Sequence, residues 1–261
     1  SIAAQILNVS DRVMISKLVN DSAVGIYSTL YTISSLSLIV WQAIHASYVP
    51  YLFKSIGKEG TKTKKITNSL VTIYAFIALI LTFFAPEIVS ILATHEYYEA
   101  IYIMPPIAAG IFLTCITNIY SDIPVYFRKT KYVMYPAAIA AVVNIVLNYI
   151  FIPVFGYMAA AYTTLFSYII WAIFQAYWCK KVCLMNNIKA NTLLDYNTLS
   201  TISLITIMLC LAGVLLYRSI LLRYLIIIIM SVFSVIFVFK LKKEIEKFIN
   251  NFFYFFYSFL F

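Results

Sequence analysis

Charge is what this sequence has least of. Asp, Glu, Lys and Arg together make up 11% of its 261 residues, where a soluble domain carries about 25%. So few charges cannot cover a water-facing surface of this size. The apolar share of 63% and the mean hydropathy of +0.92 leave more hydrocarbon than a core can bury, so the surplus has to face lipid. Histidine and cysteine are scarce as well, with two and four residues. Cys179 and Cys183 stand one helical turn apart, but no His or third Cys completes a metal set. With Cys115 and Cys210 they read as small buried hydrophobes and not as a disulfide framework. Glycine is scarce too, and no Gly-rich loop could cradle a phosphate. No nucleophile stands beside a base, and no carboxylates pair on a soluble face. Enzymatic activity, catalytic residues, metals and cofactors are therefore not expected. The chain opens Ser1-Ile2-Ala3-Ala4 inside an apolar run with no basic segment, so no signal peptide is expected, and the first helix reads as cut short at its start.

What is present is a series of long apolar runs separated by short basic clusters. A helix needs about 20 mostly apolar residues to cross ~30 Å of hydrocarbon. A partial span at 1–18 is followed by seven full ones at 24–49, 66–86, 101–127, 133–153, 157–178, 199–217 and 220–239. The fold expected is an all-α, polytopic transmembrane helix bundle. Pro153-Val154-Phe155-Gly156-Tyr157 predicts a tight turn, and so an antiparallel hairpin. The formal charge of +9 would suggest nucleic acid if it lay on one soluble face, but the cations sit between spans.

Those cations predict the orientation. Lys54, Lys58, Lys62, Lys64 and Lys65 fill one loop, and Arg128, Lys129 and Lys131 another. Lys180, Lys181 and Lys189 follow the next hairpin, and Lys240, Lys242, Lys243 and Lys247 follow the last span. Alternating spans bring all four clusters to one face, which predicts that both chain ends lie on the cytoplasmic side of the membrane. The opposite loops hold Lys17, Arg218 and Arg223 with Asp21, Glu87, Glu96 and Glu99. Arg218 and Arg223 are a mild exception, expected to snorkel to phosphate headgroups. The tail 241–261 reads as an interfacial amphipathic segment. No loop is long enough to fold as a soluble domain.

Ionisable groups at bilayer depth cost roughly 2.5–3.5 kcal/mol each on insertion scales, so each one asks for a reason. Asp11-Arg12 lies near the outer end of the first helix, with Asn8 on the same face. It reads either as a neutralised pair packed between helices or as a cationic Arg12 awaiting an anion, its geometry held by Asp11. Thr114, Asn118, Asp122 and Tyr126 repeat every four residues in the fourth helix, as a hydrogen-bond network or as the polar wall of a pathway. Pro124 predicts a kink beside Asp122. Asn144 and Asn148 share a face with Ala137 and Ala140, and with Ala159-Ala160-Ala161 they read as close helix packing. His45 stands alone, with no second ligand, and reads as a satisfied buried histidine. Trp41, Trp171 and Trp178 suit interfacial belts. Tyr27, Tyr31, Tyr120 and Tyr126 are candidates to line a cavity and stack on sugar rings.

In this order the features resemble a known family. Asp11-Arg12-Val13-Met14-Ile15 followed by Val24-Gly25-Ile26-Tyr27-Ser28 is similar to the seventh-to-eighth helix junction of polysaccharide and oligosaccharide flippases. Pro86-Glu87-Ile88-Val89 with Tyr98-x-Ala100 resembles their outer loop after the ninth helix, and Phe127-Arg128-Lys129-Thr130-Lys131 their inner loop before the eleventh. Asn144 to Asn148, then Ile152-Pro153-x-Phe155-Gly156-Tyr157-x-Ala159-Ala160, resembles the eleventh-to-twelfth hairpin. Together these cover residues 11–165 of a Wzx-like member of the multidrug/oligosaccharidyl-lipid/polysaccharide exporter superfamily.

The resemblance implies two six-helix lobes around a central cavity, often with two added C-terminal helices. It also implies translocation of undecaprenyl-pyrophosphate-linked oligosaccharide by alternating access. Residues 1–180 would be the second lobe and 181–240 the added helices, with the first lobe missing from this chain and expected as a partner. Arg12 best matches the family's cavity cations. The substrate-binding candidates are Arg12, Asp11, Asn118 and Tyr27, and Asp122 is the candidate for ion coupling. A multidrug exporter and an inactive fragment are the alternatives. A membrane polymerase or ligase would need a long outer catalytic loop, which is lacking.

Overall fold

The computed structural model describes residues 2–57, 61–92 and 95–236. The tail 241–261, Lys58 and the end of the last expected span lie outside the described residues. Among those described there are helices and turns but no strand. In chain order the helices are α1 (Ile2–Leu18), α2 (Asp21–Ser35), α3 (Ser37–Ser55), α4 (Thr61–Phe83), α5 (Ala85–Leu92), α6 (Met104–Tyr126), α7 (Lys131–Phe155), α8 (Met158–Met185), α9 (Ala190–Leu193), α10 (Tyr196–Gly213) and α11 (Ile220–Ile236). A 3₁₀ stretch, His95–Ile103, leads into α6.

Six segments are long and apolar enough to cross a membrane: Asp21–Ser55, Thr61–Phe83, Tyr97–Tyr126, Lys131–Phe155, Met158–Met185 and Tyr196–Leu216. The expected bundle of transmembrane helices is what forms. The seventh expected full span is the shorter apolar helix α11 over its described length. The span expected at 24–49 is longer, Asp21–Ser55, and at Leu36, between α2 and α3, the backbone stays helical (φ −56°, ψ −30°) but tightens to bonds three residues apart, Leu36 N–H to Ile33 and Ile39 N–H to Leu36. The cause is local. Ser34 Oγ donates to the Leu30 carbonyl, Ser35 Oγ to Thr32 and Ser37 Oγ to Ser34, so hydroxyls compete for carbonyls the helix needs. Pro105 and Pro106 occupy the first turn of α6, where a missing N–H breaks no helical bond, and α6 then runs through Pro124 to Tyr126.

Helix α6 is the axis of the bundle, packed against α2, α3, α4, α8 and α10, and almost its whole length is buried. Helices α7 and α10 instead leave Val142, Val146, Tyr149, Leu204 and Met208 uncovered. Bands of this kind would be unstable in water and are at home in lipid. Small residues let the backbones approach: Ala137, Ala140 and Ala141 of α7 and Ala159, Ala160 and Ala161 of α8 are buried where the two helices meet. The expected hairpin is present, with Gly156 (φ +68°) closing α7 and its N–H bonded to the Ile152 carbonyl at 2.8 Å.

The lysine clusters around 54–65, 128–131 and 180–189 share one end of the bundle, called here the basic end. Lys180 Nζ sits 4.5 Å over the Tyr196 ring, and Tyr132 stacks on Trp178 at 4.8 Å. Two expectations are corrected here. Trp41 and Trp171 are not rim residues: both are buried inside the bundle, Trp41 against Tyr74 and Trp171 stacked on Tyr168. Arg223 does not snorkel. It is 3% exposed and paired with Glu87, which Tyr224 also contacts at 2.9 Å, because α11 crosses the start of α5.

Candidate functional site: two polar clusters within the bundle

The polar side chains gather at two depths. The first cluster is centred on Asp11, 1% exposed on α1. Its Oδ2 accepts hydrogen bonds from the Tyr27 hydroxyl on α2 at 2.8 Å and from Thr164 Oγ1 on α8 at 2.7 Å. Its Oδ1 accepts from Asn148 Nδ2 on α7 at 2.7 Å. A second ring supports the first: Asn144 Nδ2 donates to Thr164 at 3.1 Å, Ser10 Oγ to Asn144 Oδ1 at 2.8 Å, and Thr163 Oγ1 to Asn148 Oδ1. A carboxylate taken from water needs its lone pairs answered, and hydrogen bonds to a charged group contribute about 1.5–3 kcal/mol each. Three helices answer this one.

Arg12 points elsewhere. Its guanidinium carbon lies 5.3 Å from the centre of the Tyr31 ring, a cation–π contact, and its Nε is buried without a hydrogen-bond partner among the described residues. No Asp11–Arg12 ion pair exists among the described residues, because their neighbouring backbone positions aim the two side chains apart on the helix. The expectation that Asp11 holds Arg12 is therefore corrected. Asp11 is committed to Tyr27, Asn148 and Thr164, and Arg12 keeps its charge unneutralised. The side chain of Asn8 lies outside what is described.

The second cluster lies nearer the basic end. His45 Nε2 on α3 meets both carboxylate oxygens of Asp122 on α6, at 3.0 and 3.2 Å. The expected satisfied histidine has its partner 77 positions along the chain, and the ring is half-buried instead of buried. Around the pair, Trp41 lies 5.4 Å from the imidazole, and the Tyr48 hydroxyl bonds Thr67 at 2.8 Å. On the same face of α6, Thr114 and Asn118 are half-buried on a helix that is otherwise enclosed. Asn118 makes no side-chain hydrogen bond among the described residues, so it joins neither cluster. Tyr126 packs on Phe53 at 5.1 Å, and Tyr120 stacks on Tyr196 at 5.3 Å.

Of the residues singled out from sequence, Asp11 and Tyr27 therefore come together, Arg12 turns to Tyr31, and Asp122 belongs to a separate site with His45. Sequence reasoning missed Thr163 and Thr164; it read Asn144 and Asn148 as amides that hydrogen-bond across helices on a packing face, and they do so to Thr164 and Asp11. Among the described residues no group of three metal-ligating side chains converges.

The MatE family model matches residues 1–150, which hold both clusters except for the partners Thr163 and Thr164 on α8. The chain belongs to the MatE family. That makes it a membrane exporter or flippase of the multidrug/oligosaccharidyl-lipid/polysaccharide exporter superfamily, whose MatE members are transporters and not enzymes. Neither the curated proteins nor the solved structures contain a match to it.

Proposed function

We propose that this MatE chain forms the cargo-binding wall of a flippase. The cargo is an undecaprenyl-pyrophosphate-linked oligosaccharide, carried across the bacterial cytoplasmic membrane for O-antigen, capsule or exopolysaccharide synthesis. The observation that carries this reading is Arg12, a guanidinium inside the bundle whose adjacent carboxylate is fully occupied by other donors. Its stacking on Tyr31 offsets about 0.5–2 kcal/mol of the cost of burial, which leaves a net attraction for an anion. A diphosphate supplies that anion and matches the planar fork of an arginine.

In this reading residues 1–180 form the second lobe and 181–240 the two added helices. A first lobe closes the other side of the cavity, and the basic end faces the cytoplasm. Arg12 takes the diphosphate, and Asn118 meets sugar hydroxyls from the opposite wall. Asp11 and Tyr27 hold α1 against α2 so that position 12 stays aimed. A multidrug cargo is as compatible with the family match, but an organic cation would be repelled by Arg12.

Transport in membranes containing the complete exporter tests the proposal. Arg12→Ala should lower flipping of the lipid-linked oligosaccharide at least tenfold at unchanged expression. Undiminished flipping by Arg12→Ala, or export of a cationic dye by the parent exporter that this substitution leaves unchanged, would overturn it.

A further inference from the structure

Cations and aromatic rings meet on the outside of the bundle where α7 begins and α8 nears its end. Lys131 opens α7, and Lys181 lies in the last turns of α8, the helix packed along it. Lys131 Nζ sits 5.2 Å from the centre of the Tyr132 ring, and Lys181 Nζ 4.6 Å from that of Trp178. The two rings stack on each other at 4.8 Å, and Tyr177 and Tyr135 flank Trp178 at 5.4 and 6.4 Å. Gln175, buried on α8, fixes the alignment by donating to the Tyr132 carbonyl at 3.3 Å. Each ammonium is thereby held at its own ring. Neither pairs with a carboxylate among the described residues, and the turn before α7 adds Arg128 and Lys129 with no acidic residue. Further along both helices, toward the middle of the span, Ile139, Val142, Ile173 and Phe174 are uncovered.

We propose that Lys131, Lys181 and the Tyr132–Trp178 stack bind an anionic phospholipid whose headgroup carries two phosphates, a diphosphatidylglycerol of the leaflet that the basic end meets. The assignment is independent of the cargo reading above. Two unpaired ammonium groups call for anions, and the uncovered band beside them calls for hydrocarbon. A lipid answers both demands in one molecule, whereas an acidic protein answers only the first. Lying over aromatic faces orders the lysines and leaves their N–H groups free for phosphate oxygens. Two cations held at separate rings match two phosphates joined through a spacer better than a single one. The lipid would also act on the fold. The α7–α8 hairpin is closed at one end by the turn at Gly156, and a headgroup bridging Lys131 and Lys181 clasps its open end. That hairpin carries Asn148 and Thr164, the donors that answer Asp11.

Trp178 supplies the reporter, since bromine on a lipid acyl chain quenches indole fluorescence on contact. With Trp41→Phe and Trp171→Phe it is the one tryptophan left in the chain. In phosphatidylcholine nanodiscs, brominated diphosphatidylglycerol should quench it more than brominated phosphatidylglycerol at equal phosphate, and both more than brominated phosphatidylcholine. Lys131→Gln/Lys181→Gln should weaken binding of diphosphatidylglycerol roughly tenfold or more. Lys131→Arg/Lys181→Arg should keep it, as should Lys54→Gln/Lys62→Gln, which removes the same charge from the same end. The melting temperature of the chain with its tryptophans intact, in detergent with each lipid added, should give the same ranking. Quenching no stronger than by phosphatidylcholine, undiminished binding in Lys131→Gln/Lys181→Gln, or an equal loss in Lys54→Gln/Lys62→Gln overturns the site. Equal quenching by phosphatidylglycerol overturns the two-phosphate headgroup. Arg12→Ala should leave the quenching untouched, so failure of the cargo reading and failure of this one are told apart.

Discussion

Tyr27 and Asp11 meet at 2.8 Å, the phenol of α2 donating to a carboxylate of α1 that is almost fully buried. The contact joins the first two helices of the family-matched region at the depth where Asn148 and Thr164 arrive from α7 and α8. Asp11 is thereby a structural node, and the cation one residue later is freed from it.

Removing the node should be costly. Asp11→Ala leaves the donors of Tyr27, Asn148 and Thr164 without an acceptor in a site closed to water, at about 1–3 kcal/mol for each orphaned group. Tyr27→Phe removes one hydrogen bond and should cost about 1 kcal/mol. Thermal unfolding in detergent checks the order: Asp11→Ala far below Tyr27→Phe, and Tyr27→Phe slightly below the parent.

Arg223, buried, and Glu87, half-buried, form an ion pair that ties α11 to the start of α5. Glu87→Ala strands a guanidinium that is 3% exposed, and breaking such a pair costs about 3–5 kcal/mol. The double variant Glu87→Leu/Arg223→Met should recover most of that loss, since neither charge is left alone. A double-mutant cycle on melting temperature checks this. Equal losses in the single and double variants would show that the pair does not act as a unit.

Gly213 sits where α10 presses on α4. A methyl group there would lie 2.9 Å from Thr82 Cγ2. Alanine gains about 1 kcal/mol in helix propensity but meets an overpacking penalty of about 1–3 kcal/mol. Gly213→Ala should therefore be neutral to destabilising. Adding Thr82→Ser removes the opposing methyl and should raise the melting temperature above that of Gly213→Ala alone.

Asp195 caps α10 at the basic end. Its carboxylate accepts from the Thr198 hydroxyl at 2.7 Å and from the Thr198 amide at 3.2 Å, and these two bonds hold its carboxyl below the ordinary value of 3.8. A depressed native pKa gives stability that is present above the unfolded value and is lost as pH falls through the folded one. Asp195→Ala should cost about 1 kcal/mol near neutrality. The gap between parent and variant melting temperatures should narrow as the pH is lowered below 3.8, and a gap independent of pH would contradict the cap.

The spans were legible in the sequence because crossing hydrocarbon fixes a minimum length and an apolar composition, which tertiary context cannot override. The tightened turn at Leu36 was not, although Ser34, Ser35 and Ser37 carried its chemistry, because hydroxyls inside a helix bond back to carbonyls without always altering its course. The partners of the polar residues were missed for a different reason. Periodicity along one helix says which residues share a face, and nothing about the facing helix. Depth was the usable signal. Asp11 lies seven residues before the end of α1, Asn148 seven before the end of α7, and Thr164 six after the start of α8. His45 stands nine residues before Lys54 and Asp122 six before Arg128, so both sit at similar depth near the basic end. Residues matched by depth were the ones that found each other.

Binding at position 12 tests the central claim most directly. The chain in nanodiscs of zwitterionic lipid would be titrated with a polyprenyl-diphosphate-linked oligosaccharide, and in parallel with a lipophilic cation. The account predicts that the anionic lipid binds the parent chain, that Arg12→Ala weakens it at least tenfold, and that Arg12→Glu abolishes it while admitting the cation. Equal affinity of the parent and Arg12→Glu for the diphosphate lipid would contradict it.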